Sequence, residues 1–235
     1  MTPNKKNKPP TKRKNSNKTL FVAIAIIAIV VTAIGAYTIL GNSGNQNQNA
    51  TSTPTPGPST SPGSSPTPDP LYEGSTKVLL HTSMGDITIA LRNDKPLTTG
   101  NFINLVTHGT YNNTIFHRVI SGFMIQGGDP TGTGYGDPSI PDIEDEIGTN
   151  NHNYYGTIAM ANTGAPNSAS SQFFINVANN NKIVYQDGST FDGSYTVFGK
   201  VTSGMDVVMA ISEVATNASD KPLQNVTLSG ASVLP

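Results

Sequence analysis

The residues in this 235-residue chain best suited to chemistry stand together in Phe116-His117-Arg118-Val119-Ile120-Ser121-Gly122-Phe123-Met124-Ile125-Gln126-Gly127-Gly128-Asp129. Arg118 supplies a permanent cation and Gln126 an amide, while Phe123 and Met124 supply large apolar surfaces. The stretch reads as strand, turn and strand, and alternate side chains of a strand share a face. That places Phe116 with Arg118, and Met124 with Gln126. A cation and an amide beside large apolar groups suit a shallow apolar groove with two polar borders better than a plain core. A guanidinium stays charged at physiological pH and donates hydrogen bonds from a planar fork. The chemistry on offer is charge-assisted hydrogen bonding to an acceptor, not proton transfer.

Other chemistries lack their residues. The chain has no cysteine, which removes disulfides, thiol catalysis and Cys-based metal sites. His81, His108 and His152 show no metal-ligand spacing with one another. The acidic run Asp142-Ile143-Glu144-Asp145-Glu146 lacks the spacing and glycine of an EF-hand and reads as a solvated loop. Gly132-Thr133-Gly134-Tyr135-Gly136 is followed by neither Lys-Ser/Thr nor a helix pattern, so it reads as a loop beside the groove rather than a phosphate cradle. No G-x-S-x-G elbow accompanies the serines. Charge is segregated: seven of the 14 Lys/Arg lie between Lys5 and Lys18, and no acid precedes Asp69. From Leu71 onward, seven basic residues stand against 14 acidic ones, a net charge of −7. Such a surface argues against nucleic acid as the partner.

Four segments carry these residues. Residues 1–19 form a basic tail too polar to fold alone. Residues 20–40, from Leu20 to Leu40, are 21 uncharged residues with no polar face, long enough as a helix to cross the roughly 30 Å hydrocarbon layer. The basic flank should remain cytoplasmic and the rest of the chain lie outside. A cleaved signal peptide is the alternative, with Ala33-Ile34-Gly35-Ala36 as a cleavage-like site that would release a secreted form. Signal cores usually run only about 7–15 residues, so the expectation is an uncleaved single-pass anchor. Residues 41–70 are Asn/Gln-rich and then Pro/Ser/Thr-rich, the composition of an extended linker. This single-span, tethered layout looks bacterial.

Residues 71–235 form the globular domain. Lys77–Ser83 and Gly85–Leu91 read as a hairpin around Met84-Gly85. Pro96–His108 reads as a helix with Phe102, Leu105 and Val106 on one face, Thr98 or Thr99 as cap, and Gly109 as stop. Strand-like runs recur at 156–161, 172–177, 196–201 and 225–234, and residues 203–212 read as a second helix with Met205, Val208 and Met209 on one face. Many short strands with two helices imply a mainly β fold: a closed antiparallel barrel with a helix over each open end.

Three segments share a wider pattern: the opening stretch; Gly156-Thr157-Ile158-Ala159-Met160-Ala161-Asn162 with Ser171-Gln172-Phe173-Phe174-Ile175; and Phe191-Asp192-Gly193-Ser194-Tyr195-Thr196-Val197-Phe198-Gly199-Lys200-Val201. In order and spacing, from about Lys77 to the C-terminus, the chain resembles the cyclophilin family of peptidyl-prolyl cis-trans isomerases. The resemblance implies an eight-stranded closed barrel capped by two α-helices, acting on proline-containing polypeptides as a monomeric domain without cofactor or metal. It implies that Arg118 is catalytic, that Phe123, Met124, Phe174 and Phe191 wall the proline pocket, and that Gln126, Ala161, Asn162 and Gln172 contact the bound peptide. Phe116, Phe173 and Phe198 are expected in the core, and His117 in packing. Two positions depart from the pattern. Thr190 stands where many eukaryotic members carry tryptophan, beside Phe191 in place of leucine. Tyr195, also assigned to the groove, stands where they carry histidine. The expected activity is rotation of X–Pro bonds in exported proteins during folding; the alternative is a proline-peptide binding module with little turnover.

Overall fold

The structure is a computed structural model that describes residues 69–235. The expected anchor at Leu20–Leu40, the basic tail, and the linker up to residue 68 lie outside the described residues. Among the described residues no helix is long and apolar enough to cross a membrane.

The chain runs β1 (Lys77–Thr82), β2 (Gly85–Leu91), α1 (Pro96–Thr107), β3 (Thr114–Ile115), β4 (Arg118–Ile120), β5 (Met124–Gly127), β6 (Thr157–Met160), β7 (Phe173–Asn176), β8 (Val197–Ser203), α2 (Met205–Ser212) and β9 (Thr227–Val233). Alternation explains the first hairpin. Val78, Leu80, Ile87, Ile89 and Leu91 are all at most 2% exposed and share the face that packs inward. Ser83-Met84 turns the chain between them, and the register runs from Lys77 opposite Ala90 to Thr82 opposite Gly85.

All nine strands join one antiparallel sheet in the order β3-β9-β1-β2-β8-β6-β7-β5-β4. Nine strands stand where eight were expected; the sheet curls, with β3 and β4 at the ends of its ladder and one antiparallel bridge from Ile115 in β3 to Asp129, just past β5. Those two edge strands are consecutive in the chain, separated only by Phe116 and His117. The Phe116 N–H donates to the Val226 carbonyl (3.0 Å), continuing the pairing of Thr114 with Leu228 and Ile115 with Thr227. β3 ends there and β4 begins at Arg118, where the sequence pattern ran one strand on. Phe116, 1% exposed, turns into the core while Arg118 faces out, so the two do not share a face as alternation implied.

The two helices supply Phe102, Leu105 and Val106 from α1, and Val208 and Ile211 from α2, to a single apolar core with the inner sheet face. Met205 and Met209 pack at its edge. Neither threonine caps α1. Its first residue is Pro96, and Glu146, from the acidic run, supplies the cap instead. The Glu146 carboxylate accepts from the Leu97 N–H (3.1 Å), the Thr98 N–H (2.8 Å) and the Thr98 hydroxyl (2.7 Å). A carboxylate there satisfies orphan donors and meets the positive end of the helix dipole. Part of the supposed solvated loop is thus structural. At the other helix, Gly204 has φ 82° and a Cβ there would overlap the Asp86 carbonyl oxygen, so only glycine can turn β8 into α2.

Candidate active site

Register decides which side chains meet. Arg118 on β4 lies opposite Gln126 on β5, Gln126 opposite Phe174 on β7, and Phe174 opposite Ala159 on β6. One residue out of step, Val119, Ile125, Ile175 and Ile158 form the neighbouring row at 0–2% exposure and belong to the core. The period of two thus sends one row inward and the other outward, and Met124 follows Gln126 onto the outer face. The Gln126 amide donates to the Gln172 side-chain oxygen (3.0 Å), and the Gln172 amide donates to the Gly134 carbonyl (3.1 Å). Arg118, Met124, Gln126, Gln172 and Phe174 are therefore brought together as expected, with the glycine-rich loop folded beside them.

Arg118 is held from one side. Its Nε lies 3.5 Å from the Asp220 carboxylate, with side chains 20% and 28% exposed. Asp220 sits in a turn with φ 61°, built by Asn217, whose amide oxygen accepts from the Ser219 (2.9 Å) and Lys221 (3.1 Å) N–H groups. The Asp220 carbonyl accepts the Val119 N–H at 2.8 Å, which ties this turn to β4 beside the arginine. The guanidinium Nη2 is buried and has no hydrogen-bond partner. The fork is thus oriented by one carboxylate and retains a desolvated donor.

The glycine-rich loop is organised by Asp129, fully buried. Its carboxylate accepts from the Thr131 N–H (2.9 Å) and hydroxyl (2.9 Å) and from the N–H groups of Thr133 (3.1 Å), Gly134 (2.7 Å) and Gly136 (3.3 Å). Burial pushes the Asp129 carboxyl up, but these donors outweigh it and hold the group below its usual range. Gly128 allows the approach: φ is 80°, and a Cβ would come within 2.8 Å of the Ser171 carbonyl. His117 packs against Gly134 and is 8% exposed, with neither ring nitrogen partnered. Burial holds its imidazole below the ordinary value; Asp129 opposes the shift, and Arg118 and Lys221 add to it.

The apolar wall is aromatic. Phe123, Met124, Phe174 and Phe191 are 2–4% exposed. The Phe191 ring lies 5.5 Å from Phe123, 5.6 Å from Phe174 and 4.7 Å from Tyr195, and Tyr195 stands edge-on to Phe174 at 5.3 Å. A chain of buried asparagines fixes both sides of this wall. The Asn180 amide donates to the Phe123 carbonyl (2.9 Å) and to Asn176 (2.7 Å), and the Asn176 amide donates to Asn153 (3.1 Å). The Asn153 N–H donates to the Asp192 carboxylate (2.7 Å), next to Phe191. The Ala161 N–H is used by the Gln172 carbonyl (2.9 Å). The Asn162 amide donates to the Ser194 carbonyl (2.7 Å), and its side-chain oxygen accepts the Gly164 N–H (3.0 Å). These two bonds fix the Asn162 side chain and leave its amide one further donor and one further lone pair. Thr190 is an exposed turn residue whose hydroxyl accepts the Gly193 N–H (3.0 Å).

Sequence reasoning missed two residues here. Asp220 carried only a weak turn signal, Asn217-Ala218-Ser219-Asp220, far from Arg118 in the chain. Tyr185 lies in an unremarkable loop, yet its ring packs on Phe191 at 6.4 Å. A separate cavity of about 420 Å³, lined by Tyr72, Arg92, Tyr154, Tyr155 and Lys200 among others, shares no residue with this groove.

Comparison with known proteins yields one family. The family model described as cyclophilin type peptidyl-prolyl cis-trans isomerase/CLD matches residues 77–233. The peptidyl-prolyl cis-trans isomerase-like 1 of Aspergillus fumigatus is 44% identical over 164 residues, covering 68% of this chain and 96% of the relative. The peptidyl-prolyl cis-trans isomerase A of Dickeya dadantii is 46% identical over 153 residues, covering 65% of this chain and 78% of the relative. Crystal structures of a Cryptosporidium parvum cyclophilin-type isomerase superpose with TM-score 0.61, and 0.60 for the crystal in the presence of the dipeptide Ala-Pro. Both are 32% identical and cover 68% of this chain and 98–99% of theirs.

Proposed function

This chain belongs to the cyclophilin-type peptidyl-prolyl cis-trans isomerase family, and from that premise we propose that Arg118 drives the rotation of X–Pro bonds in the outer groove. The activity is peptidyl-prolyl isomerisation in the service of protein folding. An X–Pro amide rotates slowly because its C–N bond has partial double-bond character, and uncatalysed exchange takes about 10–100 s at 25 °C. Reaching about 10 s⁻¹, a median enzymatic rate, requires lowering the barrier by roughly 3–4 kcal/mol. Twisting the amide localises the lone pair on the prolyl nitrogen. A guanidinium N–H that meets that lone pair, or the adjacent carbonyl, binds the twisted state better than the planar one, which is the condition for acceleration. Charge-assisted hydrogen bonds contribute about 1.5–3 kcal/mol each.

The observation that carries this reading is the Arg118 guanidinium: paired through Nε with Asp220, with a buried and unpartnered Nη2, on the residue opposite Gln126 in the outer row. In this reading Phe123, Met124, Phe174 and Phe191 hold the proline ring, and Tyr195 extends that wall. Gln126, Gln172 and the backbone at Ala161 and Asn162 restrain the chain flanking the proline. In the full chain, Arg118→Ala should lower kcat/KM on a proline peptide roughly 10²-fold, measured by exchange spectroscopy, with the thermal midpoint retained. Arg118→Lys should also perform poorly, because an ammonium lacks the planar fork. Unaltered turnover in Arg118→Ala would refute the assignment.

We also propose that Leu20–Leu40 anchors the domain outside the cytoplasmic membrane, where it serves exported proteins. The uncharged 21-residue run and its basic flank support this reading. Protease added to intact cells should then reach the domain; complete protection in cells with an intact envelope permeable to the protease would reverse the orientation.

A further inference from the structure

Tyr185 sits on a small hairpin that the isomerase reading has not used. The Tyr185 N–H donates to the Ser189 carbonyl (2.8 Å), the Gly188 N–H returns to the Tyr185 carbonyl (3.0 Å), and the Phe191 N–H donates to the Ile183 carbonyl (3.0 Å). Val184 bridges to Thr190 across the same hairpin. Asp187 closes the tip by accepting from the Ser189 N–H (2.9 Å) and hydroxyl (2.6 Å), with Gly188 at φ 83°. The hairpin is thus braced by its own backbone and ends in Phe191, a wall of the groove. Alternation along it leaves Val184 63% exposed and turns Ile183 and Tyr185 inward.

The Tyr185 ring lies over Phe191 with its phenol beside Tyr195 and within electrostatic range of Arg118. Its hydroxyl is buried and makes no hydrogen bond of acceptable geometry, with the Tyr195 phenol as its polar neighbour. A buried hydroxyl without a partner is costly, and native structures rarely keep one unless something outside the chain satisfies it. Tyr111 shows the usual arrangement: its fully buried phenol donates to the Ser171 carbonyl (3.0 Å). Burial raises the Tyr185 phenol well above its ordinary range, so it remains an O–H donor across physiological pH. Beside a groove that takes an extended peptide, the acceptors on offer are main-chain carbonyls.

We infer that Tyr185 is a substrate-binding residue, whose phenol O–H donates to a main-chain carbonyl of the peptide held against Phe191 and Tyr195. The inference rests on the groove assignment above. Because the donor meets planar and twisted peptide alike, its loss should appear mainly in KM.

The test is Tyr185→Phe in the full chain, beside Arg118→Ala, on a proline peptide of fixed sequence. The expected result is a fall in kcat/KM of about 5- to 10-fold, carried by KM with kcat nearly unchanged, and a thermal midpoint equal to or above that of the parent. The same fold-loss should persist in a Tyr195→Phe background. Unchanged kinetics in Tyr185→Phe would overturn the inference. So would a lowered midpoint with unchanged KM, or disappearance of the effect in the Tyr195→Phe background, since either makes the hydroxyl an internal partner of Tyr195. If Arg118→Ala retains full turnover, the groove assignment fails and this inference with it. If Arg118→Ala is inactive and Tyr185→Phe is normal, only the inference fails.

Discussion

Two aromatic clusters lie back to back across the same strand. Phe102, Tyr111, Phe116, Phe173 and Phe198 meet inside the curl at centroid distances of 5.0–6.4 Å. Phe123, Phe174, Tyr185, Phe191 and Tyr195 meet outside it at 4.7–6.4 Å. Phe173 and Phe174, neighbours on β7, each belong to a different one. Burial does not distinguish the two, because the phenylalanines of both are at most 4% exposed. Hydrogen bonding does. The inner phenol, Tyr111, has its acceptor, whereas the outer phenol of Tyr185 has none. In this molecule a core and a binding wall are made of the same side chains, and the state of these two phenols separates them.

Truncating each neighbour in turn gives the sharpest way to break that comparison. Phe173→Ala should cost about 3–5 kcal/mol of unfolding free energy, because it opens a sealed cavity among four rings. Activity measured on the remaining folded protein should stay near the parent value. Phe174→Ala should cost less, about 1.5–3 kcal/mol, since its site opens toward solvent, but it should lower kcat/KM at least roughly tenfold by removing a pocket wall. Urea titration and exchange spectroscopy on both variants measure the two quantities. Equal stability loss with equal activity loss would mean that the clusters are one unit.

A smaller effect lies at the seam. His117 stands between Phe116, which joins the inner cluster, and Arg118, which borders the outer one. Burial, with Arg118 and Lys221 nearby and Asp129 opposing, lowers its folded pKa below the 6.5 of an ordinary imidazole. The unfolded chain therefore takes up the proton first. Stability from the neutral ring is complete above about pH 6.5 and declines as pH falls through that value toward the folded pKa. The urea midpoint should drop as pH falls below 6.5, and His117→Gln should flatten that part of the profile. Turnover at pH 7–8 should stay flat, because the proposed catalyst is an arginine. An unchanged slope in His117→Gln would assign the titration to another group.

Much of the groove was legible because strand alternation is local. Once Met124–Gly127 and Phe173–Asn176 are strands, a period of two separates Gln126 and Phe174 from Ile125 and Ile175 without knowledge of the fold. The same rule failed for Phe116 and Arg118. It presumes an unbroken strand, and there the chain leaves one edge of the sheet to begin the other. The count of strands was misjudged for the same reason: a break two residues long leaves no mark in hydrophobic periodicity.

By itself, the sequence determined the mainly β character of the domain, the apolar helix face of Phe102, Leu105 and Val106, and the pairing of a cation and an amide with large apolar groups around Arg118 and Gln126; Gln172 and the pocket phenylalanines were legible through the family resemblance. These follow from backbone geometry and from motifs whose spacing survives in one dimension. The tertiary structure alone decided that Glu146 caps α1, that Asp220 orients the guanidinium, and that Tyr185 reaches the aromatic wall. Each of those pairings joins two loops far apart in the chain, and a charge or hydroxyl finds its partner only after packing of the apolar core has brought the loops together.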